Sequence, residues 1–229
     1  MSGKTINHFL FFKLADPFWT EKRSTFFKSF AAELQATGAC TSLYQVSPLS
    51  AENDFLIWNA APLESEQDEA TFFERIARAV NLRRGLVQPA ASLWGYTKPS
   101  VYARGPSAQE IDPFAARRQT YLVLYPFVKT IQWYLLGKDT RQGMMNEHIR
   151  IGHQYPEIRQ LLLYSFGLQD QEFVVVYEMA DLYHFSELVN ELRGSDVREY
   201  TERDTPVYTG IWRSPEAMDE LFSPGAGAQ

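Results

Sequence analysis

Apolar residues follow two spacings along this chain, and each spacing predicts one kind of secondary structure. In four segments they recur every three or four residues, which is the period of one face of an α-helix. Between those segments they alternate with polar residues or form short runs, which is typical of strands. The predicted helices are 24–38, a segment around 72–80, 140–152 and 182–192. The predicted strands are 8–13, 40–46, 54–58, 91–96, 121–125, 161–165, 172–178 and 207–211.

Residues at the ends of two of these helices are of the types that begin or end helices. Ser24 and Asp181 can cap helix N-termini, because their side-chain oxygens accept from free backbone N–H groups. Gly38 can end the first helix, because glycine adopts the left-handed conformation without strain. These signals support the predicted start at Ser24 and a final helix that follows Asp181.

The predicted elements occur twice in the order β-α-β-β-α-β, which is the order of a ferredoxin-like unit. The 229 residues accommodate two such copies of ~110 residues each. The pattern predicts an α+β protein with two antiparallel sheets and helices on their outer faces. Coincidental α+β order is the alternative that the pattern alone leaves open.

Local composition indicates where each copy begins and ends. The first copy is predicted over 1–98 and the second over 121–222. Residues 99–120 are interpreted as a linker, because prolines and glycine are frequent there. Residues 223–229 form a tail of mostly small residues that we expect to be disordered.

The composition is ordinary except for its aromatic residues. Hydrophobic residues make up 45% of the chain and charged residues 22%, which excludes a fibrous or wholly disordered protein. Aromatic residues make up 14%. That excess indicates either a large packed interior or a flat cavity for a ligand.

Charge and cysteine content narrow the expected partners and compartment. The formal net charge is -6 and lysines and arginines form no cluster, so we expect no binding to nucleic acid. The single Cys40 excludes an internal disulfide framework and suits a reducing compartment. The apolar run 9–12 ends at Lys13 and is too short for a signal sequence or a membrane span. We therefore expect a cytoplasmic protein.

His148 is the histidine best placed for chemistry. It shares a helix face with Met144 and Ile151. A neutral imidazole that faces an apolar interior can bind haem iron. A core histidine bonded to the backbone is the commoner explanation, and the pattern alone favours it. The sequence has no two-histidine zinc motif, phosphate-binding glycine loop or nucleophile elbow.

The segment from Tyr125 to Trp133 is the richest in reactive side chains. Alternation places Tyr125 and Phe127 on one face if the strand continues past Pro126. Tyr125 and Trp133 are oxidisable rings near the cation of Lys129, and together they could serve radical chemistry on an anionic substrate. Aromatic packing around a lysine is the alternative, and without further context it is the simpler explanation.

Seven short phrases of the second copy together resemble the chlorite dismutase-like superfamily, and most of all its coproheme decarboxylases. They are YPFVK at 125–129, WY at 133–134, MMNEH at 144–148, YPEIR at 155–159, YSFGL at 164–168, QEF at 171–173 and RDTP at 203–206. The first copy matches only in its order of elements. The resemblance implies a duplicated ferredoxin-like fold, a dimeric α+β barrel, and a ring-shaped homo-oligomer that is usually a pentamer.

The resemblance also implies roles for individual residues. His148 aligns with the proximal iron ligand, Tyr125 with a tyrosine that becomes a radical, and Lys129 with a lysine that pairs with a substrate propionate. Trp133 aligns with a tryptophan at the porphyrin edge. Arg198 stands where related proteins have a serine that contacts a propionate, so it is expected to bind substrate.

Gln160 falls at the position that faces the iron from the distal side. Chlorite dismutases have an arginine there, whose fixed charge holds an oxyanion. Gln160 is neutral, and strand alternation directs its neighbour Arg159 to the opposite face. Glutamine is the pattern of one branch of coproheme decarboxylases, so the resemblance disfavours chlorite decomposition.

The resemblance implies a haem-dependent oxidoreductase of haem biosynthesis. The reaction is the oxidative decarboxylation of iron coproporphyrin III (coproheme) to haem b, with hydrogen peroxide as oxidant and the substrate's iron as redox centre. Iron coproporphyrin and haem are the expected partners. A haem or porphyrin carrier or sensor without activity is the first alternative, and a chlorite dismutase is the second.

Overall fold

The computed structural model describes residues 4–20, 25–65, 67–99, 102, 105 and 107–223. The chain divides into two compact units. The N-terminal unit consists of Met1–Tyr96 and Thr209–Gln229, and the C-terminal unit of Thr97–Tyr208. The predicted helix start at Ser24 and the predicted tail beyond Ser223 lie outside the described residues.

The described part of the chain contains nine strands, seven α-helices and one 3₁₀ helix at Asp196–Tyr200. The strands are β1 (Thr5–Leu14), β2 (Cys40–Gln45), β3 (Phe55–Pro62), β4 (Val87–Thr97), β5 (Tyr121–Lys129), β6 (Arg159–Tyr164), β7 (Phe173–Met179), β8 (Thr201–Arg203) and β9 (Tyr208–Arg213). The helices are α1 (Asp16–Thr20), α2 (Phe26–Gln35), α3 (Asp68–Asn81), α4 (Ile131–Leu135), α5 (Lys138–Gly152), α6 (Leu182–Arg193) and α7 (Pro215–Leu221).

The N-terminal unit is an antiparallel sheet in the order β4-β1-β3-β2-β9. One face of the sheet carries Leu10, Ile57 and Leu43, which lie directly opposite one another on β1, β3 and β2. The same apolar cluster includes Phe30 of α2 and Ile76 of α3. These helices bury their apolar stripes against the sheet, as the three- and four-residue spacing predicts.

A buried carboxylate caps the first residues of α2. Asp219 of α7 accepts from the backbone N–H of Phe27 at 2.7 Å and of Lys28 at 3.2 Å. The N-cap residue Thr25 makes no side-chain capping bond itself. The first turn of α2 is therefore satisfied by a residue far along the sequence, and not by a local cap.

The last strand completes the N-terminal unit. The strand predicted at 207–211 is β9, which pairs with β2, with Tyr44 opposite Trp212. Gly210 makes this close approach possible, because a Cβ atom there would lie 2.9 Å from the Cβ atom of Tyr44. The partner of β9 was not predictable from alternation, which identifies a strand but not its neighbour.

The C-terminal unit is an antiparallel sheet in the order β6-β7-β5-β8. One face packs against α5 and α6 through a cluster that includes Val123, Tyr177, Ile151 and Phe185. Asp181 caps α6 as predicted, and it accepts from the N–H of Tyr183 at 2.7 Å. The predicted α+β class with antiparallel sheets is confirmed in both units.

The described part of the predicted linker is bonded to the C-terminal unit. The side-chain amide nitrogen of Gln109 lies 2.9–3.2 Å from three carbonyl oxygens at the end of α5 and just beyond it, those of Gly152, Tyr155 and Ile158. Arg118 forms an ion pair of 3.1 Å with Glu178 of β7, and both side chains are only 2% exposed. These residues hold the segment against the sheet.

None of the described helices is long and apolar enough to cross a membrane.

Candidate functional site

Strand β5 positions the reactive segment. It continues past its predicted end at Tyr125 as far as Lys129. Tyr125 lies opposite Val175 on β7, and Phe127 lies opposite Phe173, with their rings stacked at 4.6 Å. Tyr125 and Phe127 therefore share one face of the sheet, and both pack against the cluster that α5 and α6 cover.

Lys129 ends the strand with a buried ammonium group. The residue is 9% exposed, and its Nζ donates to the carbonyl of Val197 at 3.3 Å and to Oγ1 of Thr201 at 3.1 Å. Burial, with a contribution from the charge of Arg198, lowers the pKa of Lys129 to about 8. The group is still mostly charged at neutral pH, and an anionic partner would stabilise it.

Trp133 forms the wall beside this ammonium. It is 4% exposed on the short helix α4, which begins directly after Thr130. The Nζ of Lys129 lies 4.9 Å from the centroid of the Trp133 ring, which is a cation–π distance. The ring of Tyr200 lies 5.8 Å away on the 3₁₀ helix. Trp133 thus packs Lys129 in place.

His148 lies on α5 and carries a neutral ring. Burial, with a smaller contribution from the charge of Lys129, lowers the pKa of His148 to about 4. Its Nδ1 is buried and has no hydrogen-bond partner among the described residues. A neutral imidazole with a free nitrogen is the form of histidine that binds metals. The described residues contain no group of three or more His, Cys, Asp or Glu side chains that could hold a metal ion.

Tyr125 lies beside a second tyrosine, the buried Tyr177 of β7. Their ring centroids lie 6.2 Å apart. Burial raises the pKa of Tyr125, and the neighbouring Tyr177 opposes that rise. Tyr125 is therefore protonated at neutral pH. Tyr177 was not identified from the sequence, although its position on a predicted strand, facing the same side as Tyr125, was a usable signal.

A group of charges surrounds the Tyr125 and Lys129 side chains. Arg198 on the 3₁₀ helix and Arg193 at the end of α6 share the carboxylate of Asp204, at 3.0 and 2.6 Å. Arg193, Asp204 and Arg198 all influence the pKa of Tyr125. The sequence identified Arg198, but not Arg193 or Asp204, because their meeting depends on the turn between α6 and β8.

Gln160 stands on β6 and is exposed. It lies opposite Tyr177 in the β6–β7 pairing, whereas Arg159 lies opposite Glu178. Directly opposite residues of an antiparallel pair share a face, so Gln160 is on the side of Tyr177 and Tyr125, and Arg159 is on the other. The backbone N–H of Gln160 donates to the carbonyl of Gln109 at 2.7 Å.

The C-terminal unit thus brings together most of the side chains that the sequence singled out. Electrostatic effects connect His148 to Lys129, Lys129 to Arg198, and Arg198 to Tyr125. Trp133 contacts Lys129. Gln160 lies opposite Tyr177, which shares a face of the sheet with Tyr125. The arrangement offers a neutral imidazole of the form that can bind a metal, three cations for carboxylates, and the phenol of Tyr125.

Known proteins match this chain along most of its length. A family model for chlorite dismutase matches residues 20–213. A coproheme decarboxylase from Mycolicibacterium smegmatis is 30% identical over 171 residues, which are 73% of this chain and 71% of the relative. A coproheme decarboxylase from Staphylococcus carnosus is 28% identical over 166 residues, which are 66% of this chain and 64% of the relative.

Solved structures agree with the family match at the level of the fold. A double mutant of chlorite dismutase from Candidatus Nitrospira defluvii superimposes with a TM-score of 0.81 at 20% identity, covering 96% of this chain and 95% of that one. A second mutant of that protein, in complex with cyanide, gives a TM-score of 0.79 at 19% identity, with 95% and 94% covered. From its sequence and its fold, the chain belongs to the chlorite dismutase family.

Proposed function

We propose that this protein is a coproheme decarboxylase, which converts iron coproporphyrin III to haem b with hydrogen peroxide. The observation that carries the proposal is the grouping of Tyr125, the buried ammonium of Lys129 and the neutral ring of His148 in one unit. The names of the relatives at 30% and 28% identity support the same reaction.

His148 fits the role of iron ligand. Its buried Nδ1 has no hydrogen-bond partner among the described residues, so no backbone bond holds the ring through that nitrogen. One histidine suffices for an iron whose other positions are filled by a porphyrin. The bound iron, with hydrogen peroxide, would supply the oxidising equivalents.

Lys129 and Arg198 fit the carboxylate groups of the substrate. Lys129 would hold one propionate by a charge-assisted hydrogen bond, beside Tyr125 on the same strand. Arg193 and Arg198 share only one carboxylate, so this group retains positive charge. A cationic group in a chain of net charge -6 suits a substrate with several carboxylates.

Tyr125 would carry out the hydrogen transfer. It loses one electron and its phenolic proton, and the resulting radical takes a hydrogen atom from the β-carbon of a propionate. The carbon-centred radical then loses a second electron and carbon dioxide, which leaves a vinyl group. For each propionate, one hydrogen peroxide is reduced to two waters. Trp133 would close the pocket beside Lys129, which keeps the carboxylate near Tyr125.

Chlorite decomposition is disfavoured, because the side chain at the proposed distal position is not a cation. Gln160 is neutral, and Arg159 belongs to the opposite face of β6. A porphyrin carrier or sensor needs no oxidisable tyrosine beside its carboxylate-binding lysine, so Tyr125 favours an enzyme. The family resemblance also supports a homo-oligomeric ring, a pentamer, which light scattering would measure.

The experiment is an optical titration of the protein with iron coproporphyrin, followed by stepwise addition of peroxide and mass analysis of the pigment. We expect haem b. Pigment that binds but keeps all four propionates would indicate a carrier or sensor. Oxygen release on addition of chlorite would indicate a chlorite dismutase.

The Tyr125→Phe variant tests the radical role. We expect it to bind iron coproporphyrin with unchanged affinity and to form no haem b, because phenylalanine has no phenolic hydrogen to lose. Tyr121→Phe is the matched control, since Tyr121 lies on the same strand and face and packs against the same cluster. Normal turnover by Tyr125→Phe would rule out this mechanism.

A further inference from the structure

Glu172 has no role in the reaction as proposed above, yet its side chain is bonded to the segment that carries Lys129 and Trp133. Glu172 directly precedes β7, and the pairing of β5 with β7 ends at Phe127 and Phe173. The backbone N–H of Glu172 donates to the carbonyl of Phe127 at 3.3 Å, and its Oε2 accepts from the backbone N–H of Lys129 at 2.9 Å. The side chain of Glu172 thus continues the ladder by one bond beyond the last paired residues.

The same carboxylate oxygen also holds the helix that follows β5. Tyr134 of α4 donates its phenolic O–H to Oε2 of Glu172. Tyr134 is the neighbour of Trp133, whose ring lies 4.9 Å from the ammonium of Lys129. A carboxylate accepts stronger hydrogen bonds than a neutral oxygen does. Both ends of the segment 129–134 are therefore held by one oxygen atom.

Glu172 holds Lys129 by its main chain and leaves the ammonium to other partners. Among the described residues, the Nζ of Lys129 donates to the carbonyl of Val197 and to Oγ1 of Thr201, and not to Glu172. A carboxylate bonded directly to the ammonium would compete with a carboxylate of the substrate. Burial lowers the pKa of Lys129, and the negative charge of Glu172 opposes that fall. The lysine is thus fixed in place without being neutralised.

We propose that Glu172 is a positioning residue, which fixes the main chain at Lys129 and the adjoining helix α4 so that the ammonium of Lys129 and the ring of Trp133 keep their places around a propionate of the substrate. This inference rests on the proposed function of the site, in which Lys129 binds that propionate.

Two variants of Glu172 separate positioning from charge. Glu172→Gln removes the charge but keeps the length of the side chain and an oxygen that can accept both bonds. Glu172→Asp keeps the charge but is one carbon shorter, so its oxygen does not reach both donors. We expect Glu172→Gln to bind metal-free coproporphyrin within about threefold of wild type, and Glu172→Asp to bind it about tenfold more weakly, the loss of one charge-assisted hydrogen bond to the substrate. Fluorescence quenching at pH 7 measures both affinities.

A double-mutant cycle shows whether this loss of affinity depends on Lys129. In the Lys129→Met background, Glu172→Asp should change the affinity by less than about twofold, because the ammonium that it misplaces is absent. A general loosening of the unit would instead weaken binding in both backgrounds. Glu191→Asp is the matched control. Glu191 lies in the same unit and accepts from the phenolic O–H of Tyr155 at 2.7 Å, and this substitution should leave the affinity unchanged.

The outcomes distinguish the role of Glu172 from the function on which it rests. Unchanged affinity of Glu172→Asp, or an equal loss in both backgrounds, would overturn the role of Glu172 and leave the decarboxylase function intact. So would a loss in Glu172→Gln with none in Glu172→Asp, since the effect of Glu172 would then be purely electrostatic. Wild-type protein that binds coproporphyrin but forms no haem b from iron coproporphyrin and peroxide would overturn the decarboxylase function alone. Wild-type protein that does not bind coproporphyrin would overturn both.

Discussion

Lys129 shows how one residue can be both buried and charged in this site. Its alkyl chain and ammonium lie inside the C-terminal unit, with two neutral oxygens and the face of Trp133 as partners. Neutral acceptors stabilise the ammonium less than a carboxylate would, so burial lowers the pKa of Lys129 to about 8. The charge is thus present at neutral pH and is lost as the pH rises through about 8.

This property predicts a pH dependence of porphyrin binding. Because the ammonium is charged below about pH 8 and neutral above it, the affinity for metal-free coproporphyrin should fall about tenfold between pH 7 and 9, the loss of one charge-assisted hydrogen bond. Fluorescence quenching measures the affinity. Lys129→Met should bind weakly at pH 7 and show no such fall. Equal wild-type affinity at both pH values would contradict the prediction.

Individual residues differed in how well the sequence could identify them. Tyr125, Lys129 and Trp133 stand in one short segment, so local spacing and family resemblance were enough to bring them to attention. Tyr177, Arg193 and Asp204 join the same group through contacts between separate elements. Pairing register and turn geometry bring these residues into the site, and neither is encoded in the spacing of apolar residues.

Helix α5 is the element that carries His148, and the side chain of Gln109 contacts its C-terminal end. The amide nitrogen of Gln109 lies within hydrogen-bond distance of the carbonyls of Gly152, Tyr155 and Ile158, and its backbone carbonyl accepts from Gln160. Carbonyls at a helix end have no partners within the helix. Gln109 therefore sets the position of the turn that separates the His148 helix from the Gln160 strand.

We predict that Gln109→Ala lowers the free energy of unfolding by about 1–3 kcal/mol, because the carbonyl of Ile158 loses its side-chain donor. The carbonyls of Gly152 and Tyr155 keep backbone donors. It should also weaken the binding of iron coproporphyrin, because the end of the helix that carries His148 loses a side-chain contact. The backbone bond from Gln160 to residue 109 should remain. Urea unfolding and optical titration measure the two effects.

Gln119→Ala is the control for this prediction. Gln119 lies in the same segment but donates to one exposed carbonyl, that of Glu157, at 3.2 Å. Its loss should change stability by less than about 0.5 kcal/mol. Equal effects of the two substitutions would show that Gln109 has no special part in placing α5.

At the scale of the whole molecule, the order of helices and strands was predictable and the pairing of the last strand with β2 was not. Periodicity and turn residues are local properties, and they identify elements but not partners. The choice of β2 as the partner of β9 depends on a close approach at Gly210 and on the cap that Asp219 provides to α2. Both are contacts between residues more than 160 positions apart.

The contribution of β9 and α7 to the free energy of unfolding can be measured. Asp219→Ala should lower the free energy of unfolding by about 1–2 kcal/mol, the usual cost of losing a helix cap. Binding of iron coproporphyrin should be unchanged, since all the proposed site residues belong to the C-terminal unit. Glu216→Ala on the same helix is the control, because its ion pair with Lys28 is exposed and worth little.

The return of β9 and α7 to the N-terminal unit also sets an order of events during synthesis. The residues that pair with β2 and cap α2 leave the ribosome after the whole C-terminal unit, on the order of ten seconds later than β4 at typical elongation rates. During that interval β2 presents an open edge and the first turn of α2 has unbonded N–H groups. The unit that is made first is thus completed last, and the nascent chain needs protection from aggregation at that edge.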